Sequence, residues 1–187
     1  MGLTRSPSQT AHNFEDVRLN KDRRGWLLLI AAFIIALDRW TKILVARHIA
    51  EGDTITVIPG WFRISHVLNP GAAFSLFSDS PSPDRTRWML TIFSLIAALV
   101  VLAFILKAGR RITLTTVALA LVLGGALGNV WDRIRYGVVT DFLEVHLHFG
   151  NWSYHWPDFN IADSAIVCGA ILILIDSLWP KSSKPSS

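Results

Sequence analysis

The sequence predicts an all-α membrane protein with four transmembrane helices and a small β-sheet element on its outer, periplasmic face. Three observations predict this class: 51% of the 187 residues are hydrophobic, eight are Trp, and the apolar residues lie in long blocks. Two blocks, Trp88–Leu106 and Ile112–Trp131, carry no charged residue. Since roughly 20 apolar residues cross a bilayer as a helix, both blocks are long enough to span it.

Two further blocks complete the predicted helices. Ile161–Trp179 is interrupted only by Asp163 and Asp176, whereas Trp26–Leu37 must continue past Asp38 to reach a spanning length. We therefore expect one membrane domain over residues 25–179, with helices at about 26–46, 88–106, 112–131 and 160–179 and outer segments at about 47–87 and 132–158. Residues 1–24 and 180–187 are expected to be cytoplasmic tails.

Basic residues orient these helices, because Lys and Arg are retained on the cytoplasmic side of a membrane. Placing both termini inside puts ten basic residues there, against six in the outer segments. The net charge of +4 then reflects cytoplasmic flanks beside anionic lipid, and no nucleic-acid partner is needed. The N-terminal region also resembles a cleavable signal peptide. No small-x-small cleavage site follows Trp26–Leu37 directly, which favours an uncleaved first helix.

The two outer segments differ in character. Residues 53–77 are rich in β-branched and aromatic residues and predict a small sheet. The segment His146–Trp156 is rich in His and aromatic residues, which is typical of a headgroup interface. His146 and His148 alternate on a possible strand and, with His155, would offer three metal ligands, but the sequence gives no evident fourth. A solvated interfacial loop is therefore the preferred interpretation, and no metal is expected.

Polar residues gather at one predicted level of the membrane, the outer ends of the helices. Helical spacing places three groups there, and the outer segments add two residues: Asp38 with Lys42; Asn129 with Asp132 and Arg133; Asn160 with Asp163; and Asn69 and Asp141. A charged side chain within a bilayer costs at least ~2.5–3.5 kcal/mol, so such a cluster is a functional hypothesis by default.

Structural explanations stand beside that hypothesis. Asp38 and Lys42 are four residues apart and would also form a simple ion pair that holds the helix end. The GxxxG spacing in Gly124–Gly128 favours close helix packing. Asp176, near the C-terminal basic tail, is expected to be structural, and Cys168 is expected to serve packing.

Asp141 and Asp163 are the candidate catalytic pair. Two carboxyl groups close together in a site of low dielectric share one proton, and such a pair can activate water and protonate a carbonyl oxygen. Intramembrane acids also serve proton-coupled transporters, which need polar residues across the full membrane. The uncharged blocks of the second and third helices disfavour a transporter, and a structural subunit would need no matched pair.

Five segments, taken in order, resemble the motif set of the signal peptidase II family: Asp38–Lys42, Asn69–Ser75, Gly124–Arg133, Val139–Phe142 and Phe159–Asp163. The resemblance covers Trp26–Trp179. It implies an intramembrane aspartic endopeptidase of the bacterial inner membrane that needs no cofactor. The implied substrates are diacylglyceryl-modified prolipoproteins, cut just before the lipidated Cys. Membrane lipid and a cyclic peptide inhibitor of the globomycin type are further implied partners.

The resemblance also implies residue roles. Asp141 and Asp163 match the family's catalytic dyad, and seven residues match positions that bind substrate or support the dyad: Asp38, Lys42, Asn69, Gly71, Asn129, Arg133 and Asn160. Two features depart from the family pattern. Arg39 stands where the first motif usually has Gln, which leaves the local polar contacts open. The tail before Trp26 is also longer than usual.

Overall fold

The computed structural model describes residues 22–71, 82–108, 110–150 and 152–178. These residues form four helices: α1 Arg24–His48, α2 Pro83–Ala108, α3 Leu114–Tyr136 and α4 Ile161–Leu178. Within the described residues, helices at 84–108, 114–136 and 161–178 are long and apolar enough to cross a membrane. The expected tails lie largely outside the described residues, as do residues 72–81 of the first outer segment.

Helix α3 is the centre of the bundle and packs against the other three helices. Small residues allow this close approach. A Cβ added at Gly124 would lie 2.8 Å from the carbonyl oxygen of Ala31 in α1, and one added at Gly125 would overlap the carbonyl oxygen of Ala162 in α4. The predicted packing role of the Gly-rich segment is therefore confirmed. The apolar core on either side of it includes Leu27, Ala31, Ala98, Ile105, Ala120 and Leu123.

Local signals set both ends of α3. Thr113 and Thr116 form a reciprocal capping box at its start. At its end Gly137 adopts a left-handed conformation, with φ of 83°, and donates to the carbonyl oxygen of Arg133. The helix therefore continues past the predicted end at Trp131, and Asp132 lies within its last turns.

A four-stranded antiparallel sheet lies at the end of the bundle where α1 and α3 finish and α4 begins. Its strands, in spatial order, are β1 Thr54–Ile58, β2 Phe62–Asn69, β3 Val139–Phe149 and β4 Trp152–Phe159. Phe142 of β3 packs with Val45 and Ile49 at the end of α1, which fixes the sheet to the helices. We call this the sheet end of the bundle and the opposite one the far end.

The sheet corrects the interpretation of the second outer segment. His146–Trp156 was expected to be a loop, but its described residues belong to the β3–β4 hairpin, with His146 paired directly to His155. The expectation of a sheet from residues 53–77 accounts only for β1 and β2. A strand at His146 and His148 was considered but a loop was preferred, because aromatic and His side chains are typical of a headgroup interface, although aromatic residues are also enriched in strands.

Candidate active site

Asn160 organises the site from the N-terminus of α4. Its side-chain oxygen accepts from the backbone N–H of Asp163 at 3.0 Å, and Asp163 Oδ2 accepts from the N–H of Asn160 at 3.3 Å. This is a reciprocal capping arrangement, and the partial positive charge of the helix N-terminus favours a carboxylate there. The same local geometry that starts α4 therefore orients Asp163.

Asp141 is brought to the same place by β3. Its Oδ1 accepts from Asn160 Nδ2 at 2.8 Å, and its Oδ2 accepts from Asn69 Nδ2 at 2.9 Å. Asn69 is the last residue of β2, and its side-chain oxygen accepts from the backbone N–H of Gly71 at 2.8 Å. Asn160 thus contacts both carboxyl groups, while the sheet supplies the second donor to Asp141.

Asn129 of α3 joins the pair to the first helix. It donates to Asp163 Oδ1 at 2.8 Å, and its side-chain oxygen accepts from Lys42 Nζ at 3.1 Å. Asn160 Nδ2 also lies 3.3 Å from the same oxygen. Since each of these amides is held from two sides, the rotamers that orient the carboxyl groups are fixed by several elements.

Lys42 lies in a buried ion-pair network. Its ammonium is 2.8 Å from Asp38 Oδ2 and 2.7 Å from Asp132 Oδ2, and its side chain is 2% exposed. Asp38 also accepts, through Oδ1, from the backbone N–H of Ala162 at 3.0 Å. Asp38 and Lys42 therefore form the expected ion pair. Asp38 also holds the first turn of α4, and Lys42 holds the side chain of Asn129, which contacts Asp163.

Arg39 has a defined place in this network. Its guanidinium pairs with Asp132 and donates to the hydroxyl of Tyr136 at 3.2 Å. Asp132 therefore bridges two cations, Arg39 and Lys42, from its position in α3. The residue that departs from the family pattern is thus accommodated by a second ion pair.

Arg133 connects α3 to the segment after β2. Its Nη2 donates to the carbonyl oxygen of Gly71 at 3.1 Å. Arg87 of α2 donates in turn to the carbonyl oxygens of Arg133 and Ile134, at 2.8 and 3.2 Å. All nine predicted site residues therefore belong to one hydrogen-bonded network. Sequence reasoning missed Arg87, because its contact is with backbone atoms and leaves no pattern in the sequence.

The environment of Asp141 raises its pKa to about 7, first because the carboxyl is buried and second because the charge of Asp163 opposes its ionisation. Hydrogen bonds from Asn69 and Asn160 act in the opposite direction, as does the charge of Lys42. Burial and the neighbouring carboxylate outweigh these effects, so Asp141 can hold a proton near neutral pH.

Opposite charges face one another in the site. Three cations, on Lys42, Arg39 and Arg133, face a group of carboxyl side chains. These carboxyl groups belong to Asp38, Asp132, Asp141 and Asp163.

A cavity of about 400 Å³ opens beside the pair. Asp141, Asp163 and Arg133 line it together with other polar residues, and its apolar lining includes Val139, Trp156, Phe159, Ile166 and Val167. The site therefore places two carboxyl groups, the residue type used in acid–base catalysis, beside a cavity with largely apolar walls.

The helix bundle places the carboxyl groups of Asp141 and Asp163 in the lining of one largely apolar cavity, an arrangement that fits a membrane-embedded aspartic peptidase. The sequence model of signal peptidase (SPase) II matches residues 30–179, and the chain belongs to this family. It is 46% identical over 152 residues to a lipoprotein signal peptidase of Solibacter usitatus, covering 81% of this chain and 90% of that one. A lipoprotein signal peptidase of Syntrophus aciditrophicus is 39% identical over 157 residues, covering 84% and 94%.

Solved structures agree with the sequence relatives. A bacterial membrane enzyme determined by the in meso method at 2.3 Å resolution superposes with a TM-score of 0.74 at 31% identity, covering 89% of this chain and 98% of that one. A second such enzyme, at 1.9 Å resolution, gives a TM-score of 0.71 at 32% identity, covering 87% and 98%. The resemblance inferred from the five sequence segments is thereby confirmed.

Proposed function

We propose that this chain removes signal peptides from diacylglyceryl-modified prolipoproteins by cutting just before the lipidated Cys, with Asp141 and Asp163 as the catalytic dyad. The observation that supports this dyad is the contact that both residues make with Asn160. The Asn160 side chain donates to Asp141 and accepts from the backbone N–H of Asp163, and both Asp residues line one cavity. The names of the relatives support the substrate class.

The proposed reaction needs one water molecule and one shared proton. The ionised carboxylate takes a proton from water as the water oxygen attacks the scissile carbonyl, and the protonated carboxyl group donates its proton to the carbonyl oxygen. Collapse of the tetrahedral intermediate breaks the C–N bond: the carboxyl group that took the proton from water gives it to the leaving nitrogen, and the other carboxylate takes a proton from a hydroxyl of the intermediate as the carbonyl re-forms. One carboxyl group is again protonated and the other ionised, so the cycle closes without a metal or a covalent intermediate.

The cavity suits a lipid-linked substrate. Its apolar walls, formed by residues such as Trp156, Phe159 and Ile166, would bury a diacylglyceryl chain or an apolar signal-peptide segment. Arg133 and Asn69, which meet at Gly71, would hold an extended peptide against the pair through hydrogen bonds to its backbone. Asp38, Lys42 and Asn129 would support the dyad from behind.

Membrane placement is a further part of the proposal. α1 would be a fourth spanning helix, because it is 25 residues long and packs along α3, although Asp38, Arg39 and Lys42 lower its hydropathy. Both termini would be cytoplasmic, and the sheet end would face the periplasm of the inner membrane. A lipid-anchored substrate would then present its scissile bond near the outer headgroup level, where the dyad lies.

The deciding experiment is a cleavage assay with purified protein in detergent and a diacylglyceryl-modified prolipoprotein. We expect a product shortened by its signal peptide, with the lipidated Cys at the new N-terminus by mass spectrometry. The unlipidated precursor is the matched control. A cyclic peptide of the globomycin type should compete with the substrate. Equal cleavage of both precursors, or of neither, would contradict the proposed specificity.

Topology can be tested by cysteine labelling in a background where Cys168 is replaced by Ser. Cysteines introduced at Ser78 and Trp152 should react with an impermeant reagent added to spheroplasts, whereas one at Ala108 should react only after lysis. The opposite pattern would place the sheet end in the cytoplasm and would contradict the proposed orientation.

A further inference from the structure

A second cluster of titratable side chains lies on strands β3 and β4 of the sheet, outside the dyad network. Glu144 and His146 lie two positions apart on β3 and therefore share one face of the strand. His155 is the direct cross-strand partner of His146 on β4. The potential ligand atoms of these three residues all lie within 4.8 Å of one another.

A bulge in β4 shapes the cluster. Leu143 pairs with Phe159 but Val145 pairs with Trp156, so β4 carries one extra residue opposite Glu144. Pro157 lies within that stretch and has no N–H to give to the ladder. Bulges of this kind redirect side chains, and here Asp158 Oδ1 comes to lie 3.2 Å from His155 Nε2.

The distances suit a small metal ion. Glu144 Oε1 lies 2.8 Å from His146 Nε2 and 3.6 Å from His155 Nε2. Ligand atoms at the corners of a tetrahedron around Zn²⁺ are about 3.3 Å apart, given metal–ligand bonds of about 2.0–2.1 Å. These two separations lie on either side of that value and the third is no more than 4.8 Å, so side-chain rotations would bring all three atoms onto one ion.

Burial gives an independent indication. Glu144 is 6% exposed, and its second oxygen, Oε2, is buried without a hydrogen-bond partner among the described residues. An unsatisfied buried carboxylate oxygen is costly, and an ion bound by both oxygens of the Glu144 carboxylate would satisfy it. His155, by contrast, has a side chain that is 52% exposed, so the cluster is closed at Glu144 and open to solvent at His155.

We propose that Glu144, His146 and His155 bind a divalent transition-metal ion, with Zn²⁺ the best match. Two imidazoles and one carboxylate are a recurrent Zn²⁺ ligand set, and the fourth position can be filled by water or by Asp158. The ligand set differs from the His trio considered on sequence alone: Glu144 replaces His148, whose Nε2 instead contacts the carbonyl oxygen of Gly60.

The ion would fasten β4 to β3 at the wall of the cavity. Trp156, Pro157, Asp158 and Phe159 line that cavity, and the strand leads directly into Asn160. Metal binding would therefore stiffen the wall without contacting the dyad. Arg63 opposes metal binding, because its guanidinium lies 3.4 Å from Glu144 Oε1 and would repel a cation. We therefore expect the ion to exchange readily. The proposal does not depend on the proposed substrate.

The test uses the full-length protein in detergent, freed of any polyhistidine tag and treated with chelator. Zn²⁺ titrated by calorimetry should bind with a stoichiometry of one and raise the thermal midpoint, since it binds the folded state. Co²⁺ should give the intense visible absorption of a four-coordinate site. His155→Ala and Glu144→Gln should each weaken binding at least tenfold.

His148→Ala is the matched control, because it removes a His of β3 that is not one of the proposed ligands. This variant should bind Zn²⁺ as the wild type does. His155 is exposed, so its replacement should leave the thermal midpoint of the metal-free protein unchanged. Absence of saturable binding by the wild type would overturn the proposal. So would equal binding by His155→Ala, or a loss in His148→Ala that matches the loss in His155→Ala.

Discussion

The two ends of the helix bundle satisfy their polar groups by different means. At the far end, α3 begins with the neutral hydroxyls of Thr113 and Thr116, and a hydrogen bond from Thr115 to Asp176 joins α3 to α4. At the sheet end, the first turn of α4 is capped by Asn160 and by Asp38, which reaches it from α1. The sheet end thus buries ion pairs and amide side chains, although the far end shows that hydroxyl groups are sufficient to cap a helix.

The difference indicates which end performs chemistry. Buried charges are costly in a membrane, and caps alone do not require them. Between the two ends, residues 117–128 of α3 and 164–175 of α4 contain no ionisable side chain except Cys168. A proton path along these helices would need such groups, so the polar end fits a local reaction better than transport. The predictions below test this contrast.

The largest effect is expected from Asp141→Asn and Asp163→Asn. An amide cannot exchange the proton that the reaction needs, so each variant should lose at least about a thousandfold in cleavage rate. Both variants should still fold, as judged by size-exclusion chromatography in detergent and by the thermal midpoint of unfolding. Turnover near the wild-type rate by either variant would exclude the dyad.

Gly125→Ala tests how tightly the polar end depends on helix packing. The new Cβ would meet the carbonyl oxygen of Ala162, the residue before Asp163. We expect a stability loss of about 1–3 kcal/mol from overpacking, and a loss of activity up to about 100-fold from displacement of Asp163. Gly25→Ala is the control, since a Cβ there meets nothing within 4 Å. Equal behaviour of the two variants would contradict the packing argument.

Arg133→Lys tests the contact between the site and a substrate. The planar guanidinium donates several hydrogen bonds at fixed angles, which an ammonium does not reproduce. We expect kcat/KM to fall by about tenfold while the thermal midpoint changes little, with partial recovery as the substrate fraction per micelle rises. Arg135→Lys, two residues further on, is the control. A parallel loss of stability would make Arg133 a structural residue.

The pH profile tests the proton on the dyad. Since the pKa of Asp141 is about 7, rising pH should ionise both carboxyl groups and reduce kcat/KM by up to about tenfold per pH unit on the alkaline side. The hydrogen bond from Asn69 lowers this pKa, so Asn69→Ala should move the alkaline limb upward. A downward shift would contradict the assignment of the proton to this pair.

The same group makes a prediction about stability. Between pH 3.8 and about 7 the folded chain binds more protons at Asp141 than the unfolded chain does. The contribution of Asp141 to the free energy of unfolding therefore declines as the pH rises through that range. Thermal unfolding of Asp141→Asn should lack this part of the pH dependence. An unchanged pH dependence in the variant would mean that Asp141 ionises normally.

The smallest effect is expected from Asp176→Asn at the far end. The amide oxygen can still accept from Thr115, so activity should stay within about twofold and stability within about 0.5 kcal/mol of the wild type. The matched change at the sheet end, Asp38→Asn, should be far more damaging, because it leaves Lys42 with one fewer carboxylate in a buried network. Similar effects of the two changes would remove the contrast between the ends.

Several features could be predicted from the sequence because they depend on short spacings. Uncharged blocks such as Trp88–Leu106 identify membrane helices by length alone. Helical periodicity places Asp38 beside Lys42 and Asn160 beside Asp163. The close packing at Gly124 and Gly125 likewise followed from a local pattern. The ordered motifs then supplied the family, and with it the proposed roles of Asp141 and Asp163.

Other features were decided only by the tertiary structure, because they join residues that are far apart in the chain. Asp38 accepts from the backbone of Ala162, 124 residues away, and the pairing of Arg39 with Asp132 depends on how α1 packs against α3. The strand bulge that brings Asp158 toward His155 depends on sheet register. Local propensity carries no information about such contacts, since packing and backbone pairing between distant segments select them after the local elements have formed.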